Sequence, residues 1–598
     1  MPKIEVNEQL FFALLGERCG YAELAERLVG AKAELGGMPD ESLPAEARTI
    51  KIELNDTNRP DLWSTAGVAR ALRLHRTGAQ TDFSPYFSTP EKPKAYGNRT
   101  VAVDPKLEEI RPYMTAFVVS GKPLDEPMLR DVIQTQEKLC GNYGRKRRSI
   151  SMGVYRSAMI RWPLRYKAVD PDGTSFVPLQ CSEQMTCRQI LSDHPKGREY
   201  GWILEGKPRF PLLVDDKKEV LSMAPIINSA TLGAVQAGDF ELLVEMTGTD
   251  MAPLLLATNV VACDFADNGY AILPCRVNHP YDTGFGTDII APFYFQQPTK
   301  LSLAAMNKLL GSAFSAEETL DALTRTGSAV TEEPKIKDGD TGRSRARDSS
   351  RTADAQKAKD TDTVFMVSPA PYRNDFLHEV DAIEDVMIGK TLSAFPPEKP
   401  RDFTIGRLLP LTLFSRKVKS QMVGLGYQEM VFNYLGSQKD FLDAMNDSGE
   451  KAVEISNPLS ENYQFVRPSI IASLLAAEAG SGNAVYPHKI FEVGKIAYLD
   501  SAEITGAKTA HRLGFLTAGA NANFNDAASE VAALLYFLGH EYAVQESEDP
   551  RFIPGRQADI LIRGESAGVF GEVHPAILEN CAITAPCAAG EINVEQLL

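Results

Sequence analysis

The fold of this chain is decided by residues 372–389, YRNDFLHEVDAIEDVMIG. Apolar residues recur there at helical spacing, which predicts a short helix with one face in a core. These residues are Val380, Ile383, Val386 and Met387. We expect Gly389 to end the helix, because glycine is common just past the last helical turn.

Acidic side chains occupy another face of the same predicted helix. Asp381, Glu384 and Asp385 are spaced i, i+3 and i+4, so their carboxylates would cluster. Asp375 lies just upstream, where a cap or the preceding turn would be. Like charges at this spacing repel each other, and carboxylate oxygens are ligands that suit Mg²⁺. The spacing by itself equally fits a solvated acidic face without a ligand.

The segment resembles the end of a small domain in the beta subunit of phenylalanyl-tRNA synthetase. That family has an Arg, an Asp two residues later, and an acidic helix of the form D-x-x-E-(D/E)-V. The matching residues are Arg373, Asp375, Asp381, Glu384, Asp385 and Val386. The resemblance implies a magnesium site that is shared with an alpha subunit. Its ligands from this chain would be Asp375, Asp381, Glu384 and Asp385.

Length and composition set the general class. A chain of 598 residues needs several domains, about four at the usual domain size. Its 43% hydrophobic and 24% charged residues are typical of a soluble globular protein. The sequence has no apolar run of about 18 residues and no secretory signal at its start, which predicts neither a membrane span nor export. Eight cysteines without a C-x-x-C pair predict reduced thiols in a cytoplasmic protein and no zinc site.

The net charge of −16 excludes a protein that binds nucleic acid over its whole surface. Any RNA contact must therefore come from local basic patches or from a partner chain. One such patch is the run Arg145 to Arg148, which could contact an RNA backbone through its phosphates. The alternative is a solvated hairpin end.

The first predicted domain covers residues 1–92 and is α+β. IKIEL alternates like a strand, and the N-R-P-D-L and G-x-A-R-A-L segments that follow resemble the first domain of the same family. We interpret Pro60 and Asp61 as the start of a helix and assign no chemistry to Arg59.

The second predicted domain covers residues 93–292. Its motifs VLSMAPIIN and VEMTGTD resemble the editing domain of the synthetase beta subunit in its archaeal and eukaryotic form. The pocket residues implied by the resemblance are Leu213, Ser222, Glu245 and Thr247. Many members of the family have Asp where Glu245 stands, so this pocket carries one more methylene. His194, in the loop HPKGREYG, receives no role as a base.

A physical argument favours such a second site. A pocket built for phenylalanine rejects tyrosine only about 100-fold, because an added hydroxyl costs little in an apolar site. Glu245 would accept the hydrogen bond of a phenolic hydroxyl and would stay unpaired beside phenylalanine. The alternative is that Glu245 and Thr247 only cap the end of a strand.

The third predicted domain, 293–393, is winged-helix-like and contains the acidic helix. Residues 333–362 interrupt it with mixed charge and almost no large apolar residues, which predicts a disordered insertion.

The fourth domain, 394–598, carries N-P-L-S-E, I-F-E-V-G and G-E-V-H-P, which resemble the class II synthetase-like fold of the beta subunit. It lacks the G-x-G-x-x-R turn that offers an Arg to ATP. We therefore expect a non-catalytic antiparallel-sheet domain in which His574 is structural.

Together these features predict an α+β multidomain beta subunit of phenylalanine–tRNA ligase, of the shorter archaeal/eukaryotic type. The resemblance implies an α2β2 heterotetramer whose alpha subunit holds ATP, phenylalanine and the reacting ribose of tRNA(Phe). This chain would supply scaffold, tRNA contacts, the Mg²⁺ site and an editing pocket for mischarged tyrosyl-tRNA(Phe). Two alternatives are a non-catalytic RNA-binding or assembly scaffold with an inactive editing domain, and a deacylase that needs no partner.

Overall fold

The computed structural model of the protein describes residues 2–332 and 363–598, apart from Glu41, Ala45, Glu46, Thr57 and Asn483. The predicted insertion at 333–362 lies outside the described residues. The chain divides into two units, Met1–Glu398 and Lys399–Leu598. The finer division at residues 92, 292 and 393 stays a prediction. No helix among the described residues is long and apolar enough to cross a membrane.

The first unit begins with a three-stranded antiparallel sheet whose middle strand is Thr49–Leu54. Ile50 and Ile52 of the IKIEL segment are fully buried there, as their alternation predicts. The outer strands are Lys3–Asn7 and Ala33–Leu35. The helices of this region are Glu8–Leu15, Tyr21–Leu28 and Thr65–Thr77.

A ten-stranded mixed sheet forms the middle of the first unit. In spatial order its strands are Ile227–Asn228, Val220–Met223, Phe210–Val214, Leu164–Val169, Thr100–Val103, Ala271–Asn278, Tyr113–Ser120, Glu241–Gly248 and Ile150–Arg156, with Asp288–Ala291 paired to Ala271–Asn278. The largely buried helix Met251–Asp267 packs on this sheet. The other helices here are Glu126–Lys138, Cys187–Asp193 and Pro195–Tyr200, and a short hairpin pairs Ser175–Phe176 with Met185–Thr186.

The strand Glu241–Gly248 places Glu245 in the middle of this sheet. It runs antiparallel to a neighbour on each side, so that Glu245 lies opposite Ala116 on one side and Gly153 on the other. The interpretation of Glu245 as a strand-end cap is therefore wrong. Because Ala116 and Gly153 are small, they leave space on the sheet face for the carboxylate of Glu245.

The end of the first unit is a three-stranded antiparallel sheet covered by helices. Its middle strand, Val364–Ser368, pairs with Thr299–Ser302 and Ala329–Glu332. The helices are Leu303–Leu310, Ala316–Arg325 and Glu379–Lys390. Ser315 and Glu318 form a capping box at the start of Ala316–Arg325, since the Ser315 hydroxyl accepts from the amide of Glu318.

The helix Glu379–Lys390 differs from its prediction at two residues. Gly389 does not end the helix, which continues to Lys390. A Cβ atom added at Gly389 would lie 2.2 Å from the carbonyl oxygen of Ala322, so the glycine is needed for the close packing of two helices. Val380 is 50% exposed and does not face the core, whereas Ile383 and Val386 are buried as predicted.

The second unit contains the predicted antiparallel sheet with flanking helices. Its seven strands, in order, are Gln428–Glu429, His488–Leu499, Ala507–Ala518, Cys587–Asn593, Glu565–Val573, Phe552–Ile562 and Ala543–Glu546, and only the first pair is parallel. A small sheet joins Leu435–Gly436, Phe465–Val466 and Val453–Glu454. The helices are Pro410–Gly424, Gln438–Phe441, Ile471–Ala479, Phe524–Leu538 and Pro575–Asn580. His574 caps the last of these by accepting from the amide of Ala576, a structural role.

Candidate functional site

A cavity of about 350 Å³ opens beside the middle of the strand Glu241–Gly248. Its walls come from the helix Glu126–Lys138, the strand Ile150–Arg156 and the segment 222–235. Most of the side chains that line it are apolar, with a few polar groups among them, as in ligand pockets generally. Of the four predicted pocket residues, Ser222 and Glu245 line this cavity.

The other two predicted pocket residues lie behind the cavity wall. Leu213 pairs with Ser222 across neighbouring strands but belongs to the hydrophobic core. The Thr247 hydroxyl accepts a hydrogen bond from Arg111 Nε at 2.7 Å and shares another with Ser151 Oγ at 2.9 Å. Ser151 lines the cavity, so Thr247 acts on it through Ser151. Leu213 and Thr247 are therefore not among the described residues that line the cavity, and their contact with a ligand stays a prediction.

Glu245 is 3% exposed, and only one of its two carboxylate oxygens has a hydrogen-bond partner among the described residues. The hydroxyl of Tyr155 donates to its Oε1 at 2.8 Å. Its Oε2 and the Oγ of Ser222 are buried without a hydrogen-bond partner within the described part of the chain. Burial raises the pKa of Glu245 to about 7, while the hydrogen bond from Tyr155 and the charge of Arg111 act to lower it. Unpartnered buried polar atoms at a cavity wall mark where a polar group of a ligand would be satisfied.

Two basic side chains lie at the same cavity. Arg147 donates to the carbonyl oxygen of Ile226 at 3.0 Å, and its guanidinium lies 4.2 Å from the ring centroid of Tyr200. Lys196 lines the cavity as well, with its ammonium 5.4 Å from the same ring. The basic run is therefore not simply a solvated hairpin end, since one of its four cations folds back on the pocket. His194 caps the helix that carries Lys196 through its Nδ1, and its Nε2 lies 3.3 Å from the carbonyl oxygen of Leu179.

Sequence reasoning missed Tyr155, Arg147 and Lys196 as members of this site. Arg147 belongs to the basic run and Lys196 to the HPKGREYG loop, but only the folded sheet brings them to one cavity. Tyr155 stands 90 residues before Glu245, and nothing in the local sequence joins them. The signal that was available is the pair Gly153 and Tyr155, a small and a large residue on one face of a predicted strand.

The acidic segment forms an ion-pair cluster around Arg373. Arg373 is 2% exposed, and its guanidinium forms a bidentate pair with each of two carboxylates. It donates to Asp375 at 3.0 and 2.6 Å, and to Asp385 through two further hydrogen bonds, one of 3.0 Å. The positive charge that the clustered carboxylates require is therefore supplied by the protein.

The two remaining acidic residues of the prediction are also engaged. Glu384 pairs with Lys32 at 2.5 Å, and Asp381 accepts the amides of Leu377 and His378 at 2.7 Å at the start of the helix. Residues 2–332 and 363–598, as far as they are described, contain no group of three or more His, Cys, Asp or Glu that could hold a metal ion. Asp375, Asp381, Glu384 and Asp385 are predicted to bind Mg²⁺ together with an alpha subunit, and this assignment stays a prediction.

Comparisons with known proteins agree with this architecture. A model described as the phenylalanyl tRNA synthetase beta chain CLM domain matches residues 396–594, and a tRNA synthetase B5 domain model matches 299–390. The phenylalanine–tRNA ligase beta subunits of Treponema pallidum subsp. pallidum and Borrelia recurrentis are 44% and 42% identical to this chain, each over the full length of both proteins. This chain belongs to the phenylalanine–tRNA ligase beta subunit family.

A solved structure supports the same conclusion for the first unit. The N-terminal fragment of the phenylalanyl-tRNA synthetase beta subunit from Pyrococcus horikoshii is 31% identical, with a TM-score of 0.55. The structural match covers 65% of this beta subunit and 99% of the Pyrococcus fragment. The predicted family is confirmed. The predicted archaeal/eukaryotic type is not, since the full-length relatives are bacterial.

Proposed function

We propose that this beta subunit removes tyrosine from mischarged tRNA(Phe) by hydrolysis in the cavity lined by Glu245 and Ser222. The observation that carries the proposal is the buried Oε2 of Glu245, which has no partner among the described residues and belongs to a side chain of the cavity wall. A phenolic hydroxyl would donate to that oxygen. The apolar remainder of the wall would hold the aromatic ring.

Discrimination follows from the same geometry. A hydrogen bond to a charged acceptor contributes roughly 1.5–3 kcal/mol, which corresponds to more than about tenfold in rate or affinity. The phenylalanyl ester fills the same apolar space but leaves the carboxylate without a partner. Both effects act in the same direction, so the tyrosyl ester is hydrolysed in preference.

Hydrolysis in this cavity works by positioning. None of the residues that line it is a Cys or a His, so no covalent intermediate on such a side chain is available. The hydroxyl of Ser222 lies at the cavity wall, where it also acts on the Tyr155 hydroxyl, and it would orient a water molecule or the terminal ribose beside the ester. Thr247 holds Ser151 in place from behind, with Arg111 fixing it in turn.

The test compares Glu245→Ala with Glu241→Ala in the full beta subunit assembled with its alpha subunit. Glu241 lies on the same strand but hydrogen-bonds Ser157 Oγ, outside the cavity. We expect Glu245→Ala to slow deacylation of tyrosyl-tRNA(Phe) at least about tenfold while phenylalanine charging is retained, and Glu241→Ala to behave as wild type. Wild type without a preference for the tyrosyl ester would replace this proposal with a scaffold that has an inactive editing domain.

The wider assembly is also part of the proposal. An α2β2 heterotetramer would place ATP, phenylalanine and the reacting ribose on the alpha subunit, in the cytoplasm. The shorter, archaeal/eukaryotic-type architecture is supported by the likeness of the first unit to the Pyrococcus fragment. Mg²⁺ would belong to the assembled enzyme, with Asp381 and Glu384 as the partly exposed carboxylates of this chain that Arg373 does not hold. Charging assays with each chain alone and with both together test this assignment.

A further inference from the structure

We propose that Tyr155 is a positioning residue of the cavity that fixes Glu245 so that a single carboxylate oxygen is open to the substrate. The inference rests on the proposed hydrolysis and deepens it, because it assigns specificity to a residue that never touches the ester. Tyr155 is fully buried, and its hydroxyl donates to Glu245 Oε1 at 2.8 Å. Oε2 has no hydrogen-bond partner among the described residues, and we assign it as the acceptor for a phenolic hydroxyl.

The backbone makes this contact possible at one position. Gly153 lies directly opposite Glu245 in the neighbouring strand and two residues before Tyr155. A Cβ atom added at Gly153 would lie 2.1 Å from the Tyr155 hydroxyl and 2.7 Å from Glu245 Oε1. The hydroxyl and the carboxylate therefore share the space that a side chain at 153 would fill. Any larger residue there would separate them.

The hydrogen bond from Tyr155 fixes the orientation of the Glu245 carboxylate and leaves one oxygen, Oε2, as an acceptor. The single proton of the Tyr155 hydroxyl goes to Oε1 at 2.8 Å, since Asn228 Oδ1 is farther away at 3.4 Å and the neighbouring Ser222 hydroxyl can act as the donor toward Tyr155. A glutamate that was free to rotate could offer either oxygen and could turn away from a phenylalanyl ring. The fixed glutamate cannot turn away, so a bound phenylalanyl ester always leaves Oε2 without a partner and binds with less favourable free energy.

The charge of Glu245 depends on the same hydrogen bond. The groups that act on Glu245 from the surrounding elements are Arg111, Tyr155, Tyr166 and Cys140. Burial raises the pKa of Glu245 to about 7, and donation from Tyr155 is the strongest opposing influence. Loss of that donor raises the pKa further, so more of the carboxyl is protonated at neutral pH. Protonation turns Oε2 from a charged acceptor into a hydroxyl with weaker acceptor capacity, so the charge-assisted bond from a phenolic hydroxyl is lost.

The experiment measures the ratio of deacylation rates for tyrosyl- and phenylalanyl-tRNA(Phe), from about pH 6 to about pH 8.5, with the assembled enzyme. Tyr155→Phe removes only the hydroxyl. Tyr270→Phe is the matched control, because Tyr270 is also buried and no hydrogen bond or charge interaction joins it to Glu245 in the part of the chain described. In wild type and the control we expect the ratio to rise with pH through about 7. In Tyr155→Phe it should fall at least about threefold at neutral pH, and its rise should move to higher pH.

Gly153→Ala separates the same two groups by another route and should change the ratio in the same direction. A Tyr155→Phe enzyme with the wild-type ratio and pH profile would overturn the inference, provided that Glu245→Ala loses the preference. If wild type and Glu245→Ala show the same ratio, the proposed function itself is wrong and this inference falls with it. Retained phenylalanine charging in each variant establishes that the assembly is folded.

Discussion

Replacing Arg373 by Met tests whether the guanidinium, and not a metal ion, neutralises the acidic helix. Arg373 is the buried partner of Asp375 and Asp385, and removing one partner of a buried pair costs about 3–5 kcal/mol. The ion pair with Asp375 accounts for part of this loss of stability. Burial raises its pKa, but Arg373 outweighs the burial and holds the pKa at about 2. Against the ordinary pKa of 3.8, and at about 1.36 kcal/mol per pH unit, that is about 2 kcal/mol at neutral pH.

Hydrogen–deuterium exchange of the helix Glu379–Lys390 in the full-length chain is the assay. A loss of about 3 kcal/mol or more raises exchange through opening of this region by about 100-fold or more. The stabilisation from a lowered carboxyl pKa is present above the unfolded value and is lost as pH falls through the folded value. Wild type should therefore lose protection between about pH 4 and about pH 2, and Arg373→Met should show a flatter profile there.

The control is Arg188→Met, which removes an equally bidentate pair with Asp172 at 2.6 and 2.9 Å. That pair is 57% and 62% exposed, so its loss should change stability by less than about 1 kcal/mol. Millimolar Mg²⁺ should leave protection of the wild-type chain unchanged, because both buried carboxylates are already bound. Exchange in Arg373→Met within about threefold of wild type, or protection restored by Mg²⁺, would refute the reasoning.

Three further predictions concern packing, the nucleotide and assembly. Gly389→Ala should destabilise the chain by about 1–3 kcal/mol in thermal melts through its clash with Ala322, whereas Gly424→Ala, near a helix end with nothing within 4 Å, should not. Calorimetric titration of the full beta subunit with ATP and Mg²⁺ should show no micromolar binding, since residues 394–598 lack the Gly-rich Arg turn. Asp381→Ala combined with Glu384→Ala should weaken association with the alpha subunit in size-exclusion runs, and an unchanged complex would contradict this.

Local features of the fold were predictable because their causes lie within a few residues. The IKIEL strand depends on alternation over five residues, and the capping box at Ser315 depends on two residues that are three apart. Gly389 shows the limit of that approach. A glycine near a helix end has two common explanations, and the choice between them depends on a helix more than sixty residues earlier in the chain.

The candidate site was predictable only in part for the same reason. Resemblance indicated Glu245 and Ser222, and the structure places both at one cavity. Whether Thr247 faces the ligand or the layer behind it depends on Arg111, whose position the local sequence does not reveal. The spacing of the acidic helix indicated like charges, and the counter-charge was already present in the motif as Arg373. Lys32, which binds Glu384, lies 352 residues away and could not be foreseen.

The hairpin formed by Ala329–Glu332 and Val364–Ser368 offers a use for protein engineering. Glu332 pairs directly with Phe365, so the chain leaves and re-enters the sheet at neighbouring points. Residues 333–363, 31 in all, lie between the two strands in the sequence, and each doubling of a connection's length costs only about 0.6 kcal/mol more in closure entropy. A fluorescent reporter or an affinity tag placed in this connection should therefore leave the sheet paired, which provides an internal label for following assembly of the enzyme while both chain ends stay native.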